Sequence, residues 1–353
     1  MALSDVPSTG PPYSQKRIAK SIERSATWLA HFLTPTDAYL PHVLVHMSGG
    51  TSIPARRAFA DSLLEKLEEK EAEAIKPHKC LDDGVAGYVF ELAFLIQSLT
   101  VETEPSDQKP ETSRLVPLIQ ASLSSLPSDK LRFVNSARSP HEILRLIRHV
   151  GVDLFDSHWA QRAADIGVAL DFSFPAQDRG SYRKRRNGKR DVGHNLYDTC
   201  YAQDFSPLAA CFRGRADNDV AATSDVCDCL ACSPKAPSTI IAHSSADTIE
   251  LHDEYLAPFT RAYLHHLLHT HEMSAHTLLT MHNLTVLDIM FAKIRSTIKQ
   301  FGVEEYAAQV DRFEAEYDEE LEILEEARNM WEQVDLARGK GRLAREKKAQ
   351  VEE

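Results

Sequence analysis

No stretch of this chain approaches the roughly 18 to 20 consecutive apolar residues that a membrane-spanning helix needs. Its first residues, MALSDVPSTGPPYSQKR, hold no apolar block behind a charge. Neither membrane insertion nor a secretory leader is expected. The glycines of a phosphate-binding loop are missing before Lys189, no G-x-G-x-x-G occurs, and no Ser/His/Asp set stands in a supported motif. Positive charge is in deficit, with a formal net charge of -12, which argues against wholesale adhesion to nucleic acid, so any RNA contact must be local. Cysteine is scarce as well. Of six, Cys80, Cys200 and Cys211 are scattered, and the rest cluster at spacings too short for a disulfide framework. A reducing compartment follows, with the cytosol as the default.

The other three cysteines stand together in CDCLAC, as Cys227, Cys229 and Cys232. Zinc takes four tetrahedral N/S ligands, and a tight C-x-C-x-x-C turn can present three thiolates to it. A histidine is the expected fourth. Spacing leaves the choice open among His243, in a Ser/Thr/Pro-rich stretch, and His265, His266, His269, His271, His276 and His282 on or after a helix.

Along the chain, apolar periodicity predicts a helix over residues 14–33 with Ile18, Ile22, Ala26, Leu29 and Phe32 on its buried face. PHVLVHMSGG reads as a strand, SIPARRAFADSLLEKLEEKEAEA as a helix and GYVFELAFLI as a second strand. After a polar linker, PETSRLVPLIQASLSSLP reads as a helix, LRFVNSA as a strand, PHEILRLIRHV as a helix and GVDLFDS as a fourth strand. Strands separated by helices imply parallel pairing through crossovers, in half a (β/α)8 barrel or a small doubly wound sheet. A polar insert is expected from Ser233 to about Pro258, followed by a helical stretch and one acidic helix through EEYAAQVDRFEAEYDEELEILEEARNMWEQ.

Two further features carry chemistry. Asp153 and Asp156 lie at the end of the fourth strand, where (β/α) folds place their reactive groups, and there a carboxylate can act either as a nucleophile in glycosyl transfer or as a loop or helix cap. RKRRNGKR concentrates Arg183, Lys184, Arg185, Arg186, Lys189 and Arg190, either to neutralise RNA phosphates or as a solvated loop.

Taken in order, GVDLFDS, YAQDFSPL, CDCLAC and TRAYLHHLLHTHEMSAHTLLTMHN resemble the tRNA-guanine transglycosylase family, most closely its eukaryotic accessory-subunit branch, from about Ser14 to Gly302. The resemblance implies an α/β fold, the C-terminal half of a (β/α)8 barrel of the TIM type, with a zinc-binding insertion and C-terminal helices. It implies one Zn2+ per chain on Cys227, Cys229, Cys232 and His282, which passes over His243 and makes the insert a loop between ligands. It aligns Asp156 with the family nucleophile and Arg162 with an arginine contacting tRNA, while Asp165 stands where a second arginine is expected. Ser48 replaces a base-pocket glutamine before Gly49 and Gly50, and Glu91 and Leu95 replace pocket glycines, filling space a flat base would need.

The expected modules are residues 1–175 (half barrel), 176–302 (basic loop, zinc subdomain and long helix) and 303–353 (acidic helix and charged tail). The first four βα units, with the family's general-base segment, are expected to lie outside this chain. The resemblance then implies a non-catalytic accessory subunit that pairs with the catalytic subunit of queuine tRNA-ribosyltransferase and supports exchange of guanine for queuine at position 34 of tRNAs. Two alternatives are an active transglycosylase using Asp156, and an incomplete gene product with residual zinc binding. The same resemblance implies a cytoplasmic location with peripheral association at the mitochondrial outer membrane.

Overall fold

The structure is a computed structural model describing residues 1–5, 13–34, 43–102, 111–177, 185–215, 225–235, 239–241, 248–250 and 255–352. The chain forms two compact units, Met1–His158 and Trp159–Glu353. The expected modules at 1–175, 176–302 and 303–353 remain a proposal.

In the first unit, α1 (Gln15–Leu33) precedes β1 (Val43–His46), α2 (Ile53–Leu64), α3 (Glu69–Ala74), β2 (Val85–Glu91), α4 (Leu92–Glu102), α5 (Glu111–Leu123), β3 (Leu131–Asn135), α6 (Pro140–Val150) and β4 (Leu154–Phe155). The four strands make one sheet in the order β1-β2-β3-β4, every pair parallel. This is the α/β architecture expected from the alternation. α6 shows why the local signals were readable. Ser139 caps its N-terminus by accepting from the Glu142 amide, Pro140 opens it, and Gly151 at φ 73° ends it by donating to Leu146 and Ile147. Val89, Phe90, Leu115, Ile119, Val134 and Leu144 fill the core between sheet and helices.

Three local expectations are corrected. The buried stripe of α1 is Ser21, Ser25, Leu29 and Leu33, and Phe32 faces solvent. The reason is polar: the first residues lie along this face, the Asp5 amide donating to Ser25 Oγ at 3.0 Å and Ser21 Oγ to the Asp5 carbonyl, while Ala2 pairs with Val45. GYVFELAFLI is not one strand. β2 ends at Glu91 and α4 starts at Leu92, a change of period that a continuous apolar run conceals. The segment 52–74 is two helices, not one, broken after Leu64.

The second unit begins with α7 (His158–Asp165, whose first residue belongs to the first unit) and β5 (Val168–Leu170), which pairs antiparallel with β6 (Gly193–Asn195). The short pair β7 (Phe212–Arg213) and β8 (Asp225–Val226) follows, then the hairpin β9 (Thr239–Ile241) and β10 (Thr248–Glu250), inside the expected insert. Helices α8 (Arg261–His269), α9 (Met273–Glu316) and α10 (Glu322–Glu352) complete the unit. α9 breaks direction at Gly302, with φ 86° and ψ 179°. An aromatic core joins Phe172, Phe174, Phe313 and Tyr317, with Phe172 and Phe313 edge to face at 5.9 Å. The single acidic helix expected from position 304 is interrupted between Glu316 and Glu322, where Leu321 takes φ 53° and Asp318 accepts from the Glu322 amide at 3.3 Å. Among the described residues no helix is long and apolar enough to cross a membrane.

Candidate metal centre and strand-end pocket

The CDCLAC loop follows β8 directly, and three backbone restraints shape it. The Cys227 amide donates to the Arg213 carbonyl at 2.8 Å, the Ser233 amide to the Cys229 carbonyl at 2.8 Å, and the Cys232 amide to Cys229 Sγ at 3.3 Å. Ser233 Oγ closes the turn on the Cys227 carbonyl at 2.7 Å. Gly214 is the piece this packing requires, since a Cβ there would stand 1.8 Å from the Cys232 carbonyl oxygen. Gly214→Ala is expected to lower stability by about 1–3 kcal/mol through overpacking and to weaken metal binding. Unchanged thermal unfolding and metal affinity would contradict this placement.

Against the loop stands His282 of α9, fully buried. Its Nδ1 lies 3.7, 3.8 and 3.3 Å from Sγ of Cys227, Cys229 and Cys232. The four ligand atoms lie within 4.8 Å of one another. For a tetrahedral ion with metal–sulfur bonds of about 2.3 Å and metal–nitrogen bonds of about 2.0–2.1 Å, the sulfur–nitrogen edge is about 3.6 Å, so the donor set fits. His282 Nε2 donates to the Leu170 carbonyl at 2.8 Å. That bond leaves the Nδ1 lone pair toward the sulfurs, as a ligand histidine requires. Burial lowers the His282 pKa, yet hydrogen bonds to Cys227 and Cys229 and their charge raise it to about 10.

Sequence reasoning missed the neighbour of the ligand. Asn283, also fully buried, accepts from the Leu170 amide at 2.9 Å and donates to the carbonyls of Val168 at 2.9 Å and Ala160 at 3.1 Å. The His282–Asn283 pair thus satisfies both backbone groups of Leu170 and fastens β5 to α9. Its only sequence signal is a polar pair in an apolar helix. His265 and His269 instead reach the carbonyls of Leu196 at 2.8 Å and Tyr197 at 3.2 Å, and His276 that of Ala164 at 3.2 Å. His243 lies outside the described residues.

Asp171, next in chain to Leu170, accepts from His194 Nε2 at 2.8 Å and from the amides of Ala210 and Cys211, both at 2.9 Å. Burial raises its pKa, but the hydrogen bond and charge of His194 and the two amides outweigh this and bring it to about 2. Because the folded value is depressed, the stabilisation is complete above the unfolded value near 4 and fades as pH falls toward 2. It amounts to about 2 kcal/mol. Asp171→Asn is expected to lose about that much at neutral pH and to flatten the stability profile between those pH values, as denaturant unfolding across the range would show.

Asp156 occupies the end of β4 as expected. Its carboxylate accepts from the Ser136 amide at 2.8 Å and the His158 amide at 3.4 Å, joining the strand end to the start of α7. Arg162 is exposed on α7. In the basic run, Arg183 and Lys184 lie outside the described residues, and Arg186 is exposed. Arg185 meets Asp191 at 2.8 Å and Glu326 at 2.5 Å, while Arg190 meets Glu316 at 2.5 Å. Acidic partners more than a hundred residues away thus hold two of these arginines within the fold.

In the first unit, Ser48, Gly49, Gly50, Glu91 and Leu95 are brought together in one pocket of about 90 Å³ at the carboxyl ends of β1 and β2, with Arg56 in its wall. Clefts that hold drug-sized ligands measure roughly 300–1,000 Å³.

A parallel α/β unit and a buried Cys3His cluster that could hold a metal ion define the class, an α/β protein with a candidate metal site. A family model described as queuine tRNA-ribosyltransferase matches residues 1–317, and the chain belongs to this family, that of the tRNA-guanine transglycosylases. It is similar to proteins named queuine tRNA-ribosyltransferase accessory subunit 2. The relative from Caenorhabditis elegans is 25% identical over 81% of this chain and 57% of its own length. That from Drosophila yakuba is 27% identical over 81% and 51%, and that from Xenopus laevis 28% over 84% and 62%. The chain spans about half the length of the curated relatives it matches.

Proposed function

We propose that the chain serves as a non-catalytic, zinc-binding subunit that pairs with the catalytic subunit of queuine tRNA-ribosyltransferase and supports exchange of guanine for queuine at the wobble position of tRNA. The observation that carries this reading is a contrast within the molecule. The Cys3His donor set is assembled and buried, whereas the strand-end pocket is small and presents Ser48, Glu91 and Leu95 where the family resemblance calls for a glutamine and glycines. Zinc, when bound, supplies a closed four-ligand tie with no position for substrate. Cys227, Cys229, Cys232 and His282 then join the loop after β8 to α9, and Asn283 and Leu170 orient the histidine. The sequential parallel order β1-β2-β3-β4 supports reading the first unit as part of a (β/α)8 barrel. A cytoplasmic home, with peripheral association at the mitochondrial outer membrane, is part of the same proposal.

tRNA contact is assigned to the exposed Arg162 and Arg186, with the half-buried Lys189, rather than to Arg185 and Arg190. The test is co-expression with the catalytic subunit, followed by sizing and incorporation of labelled queuine into tRNA. The pair should form a heterodimer and be active, and this chain alone inactive. The competing reading makes Asp156 a working nucleophile, favoured by its place at a strand end. Its carboxylate is engaged by two backbone amides, so Asp156→Asn is expected to leave turnover by the pair unchanged. Turnover by this chain alone, abolished by that substitution, would reverse the assignment.

A further inference from the structure

Arg56 is 1% exposed as a residue and forms part of the wall of the strand-end pocket. Its Nε donates to the Gly50 carbonyl at 2.6 Å and its Nη1 to Ser122 Oγ at 2.9 Å. Among the described residues it has no carboxylate partner, and Nη2 has no acceptor. A buried charge without a counter-charge is costly, and buried charges are normally paired. Burial pushes this group down to about 10, with no opposing charge to hold it up.

The neighbouring backbone has the same character. Residues 48–50 follow β1 without entering a ladder, and the amides of Ser48, Gly49 and Gly50 have no acceptor among the described residues. Gly49 and Gly50 both take positive φ, 119° and 54°. At Gly49 a Cβ would stand 2.7–2.8 Å from the backbone nitrogen, Cα and Cγ of Arg56, so glycine there lets the loop close on the arginine. Consecutive free amides beside positive-φ residues are a recurrent anion cradle.

The other ionisable groups of the pocket are engaged or uncharged. Asp5 is held by Arg17 at 2.6 Å, Glu91 accepts from the Ala93 amide at 3.3 Å, and burial lowers the pKa of His46. Met47, Phe90, Phe94 and Leu95 supply the apolar part of the wall, beside the hydroxyls of Ser4, Tyr13, Ser21 and Ser98.

We propose that this pocket binds a small anion, a carboxylate or phosphate group, through the Arg56 guanidinium and the amides of residues 48–50. The site is independent of whether the chain supports base exchange, since it needs neither tRNA nor a partner. A neutral base would leave the Arg56 charge unanswered. An anion answers it.

The test is calorimetric titration of the full chain, at constant ionic strength, with inorganic phosphate and with acetate, and with neutral acetamide as control. One anion per chain should bind saturably, acetamide should not, and Arg56→Gln should weaken binding at least about tenfold through loss of a charge-assisted contact. Phosphate alone would identify a phosphorylated ligand and acetate alone a carboxylate. Should the variant fail to fold, the Arg56 Nε–H resonance of the wild-type chain in 15N spectra decides: it must shift along the same titration. Absence of saturable binding at tens of millimolar anion, equal binding of acetamide, equal affinity in a folded Arg56→Gln variant, or an unmoved Arg56 resonance would overturn the proposal.

Discussion

His282→Ala and Cys232→Ser should each yield protein that retains little or no zinc and unfolds at a clearly lower temperature, while His243→Ala keeps one zinc per chain. The three sulfurs face His282 Nδ1 at 3.3–3.8 Å, and this ring also satisfies the Leu170 carbonyl. Alanine removes a ligand and orphans that carbonyl in a site with no water access. Structural zinc carries roughly 10–16 kcal/mol in small peptides. In a domain with its own core a smaller share is at stake, and a loss of at least about 4 kcal/mol is expected, since metal and packing fail together. Metal analysis of the three purified variants is the decisive measurement. Zinc retained by His282→Ala, or lost only on changing His243, would mean that the histidine has been misassigned.

Asn283→Ala should cost about 3–5 kcal/mol, more than a typical core substitution, because three buried backbone groups lose their partner together. The groups are the Leu170 amide and the carbonyls of Val168 and Ala160, all within 3.1 Å of the side chain. Asn283→Asp should be little better, since a carboxylate can accept from Leu170 but cannot donate to the two carbonyls. Because Leu170 in turn orients His282, zinc affinity should weaken by about tenfold, the lower end of such effects. A shift in the denaturant midpoint corresponding to less than about 1 kcal/mol would show that water or backbone rearrangement replaces these bonds.

What could be read in advance depended on how far apart the interacting residues stand. The four parallel strands were legible in number and order because helical segments alternate with them, some with caps written nearby, as with Ser139, Pro140 and Gly151 around α6. The cysteines were legible because they adjoin. The histidine was not, as several compete at comparable distance, and family resemblance supplied His282. The serine face of α1 escaped because its partners are backbone groups of residues 1–5, invisible to hydropathy. Arg185 and Arg190 looked like free positive charge because Glu326 and Glu316 stand far along the chain. Arg56 looked like any helix-surface arginine, yet it lies in the pocket wall because Gly49 lets the preceding loop press against its backbone.

The insert between the third cysteine and α8 is closed at its root. Leu256 donates to the Pro234 carbonyl at 2.8 Å, Phe259 to that of Ala231 at 2.9 Å, and Lys235 bridges Tyr255. These bonds brace the cysteine loop whatever lies beyond them, and doubling a loop adds only about 0.6 kcal/mol of closure entropy. The segment past Lys235 is therefore a natural port for engineering: a fluorophore, an affinity tag or a crosslinker can be built in there to report on assembly with the metal centre left intact.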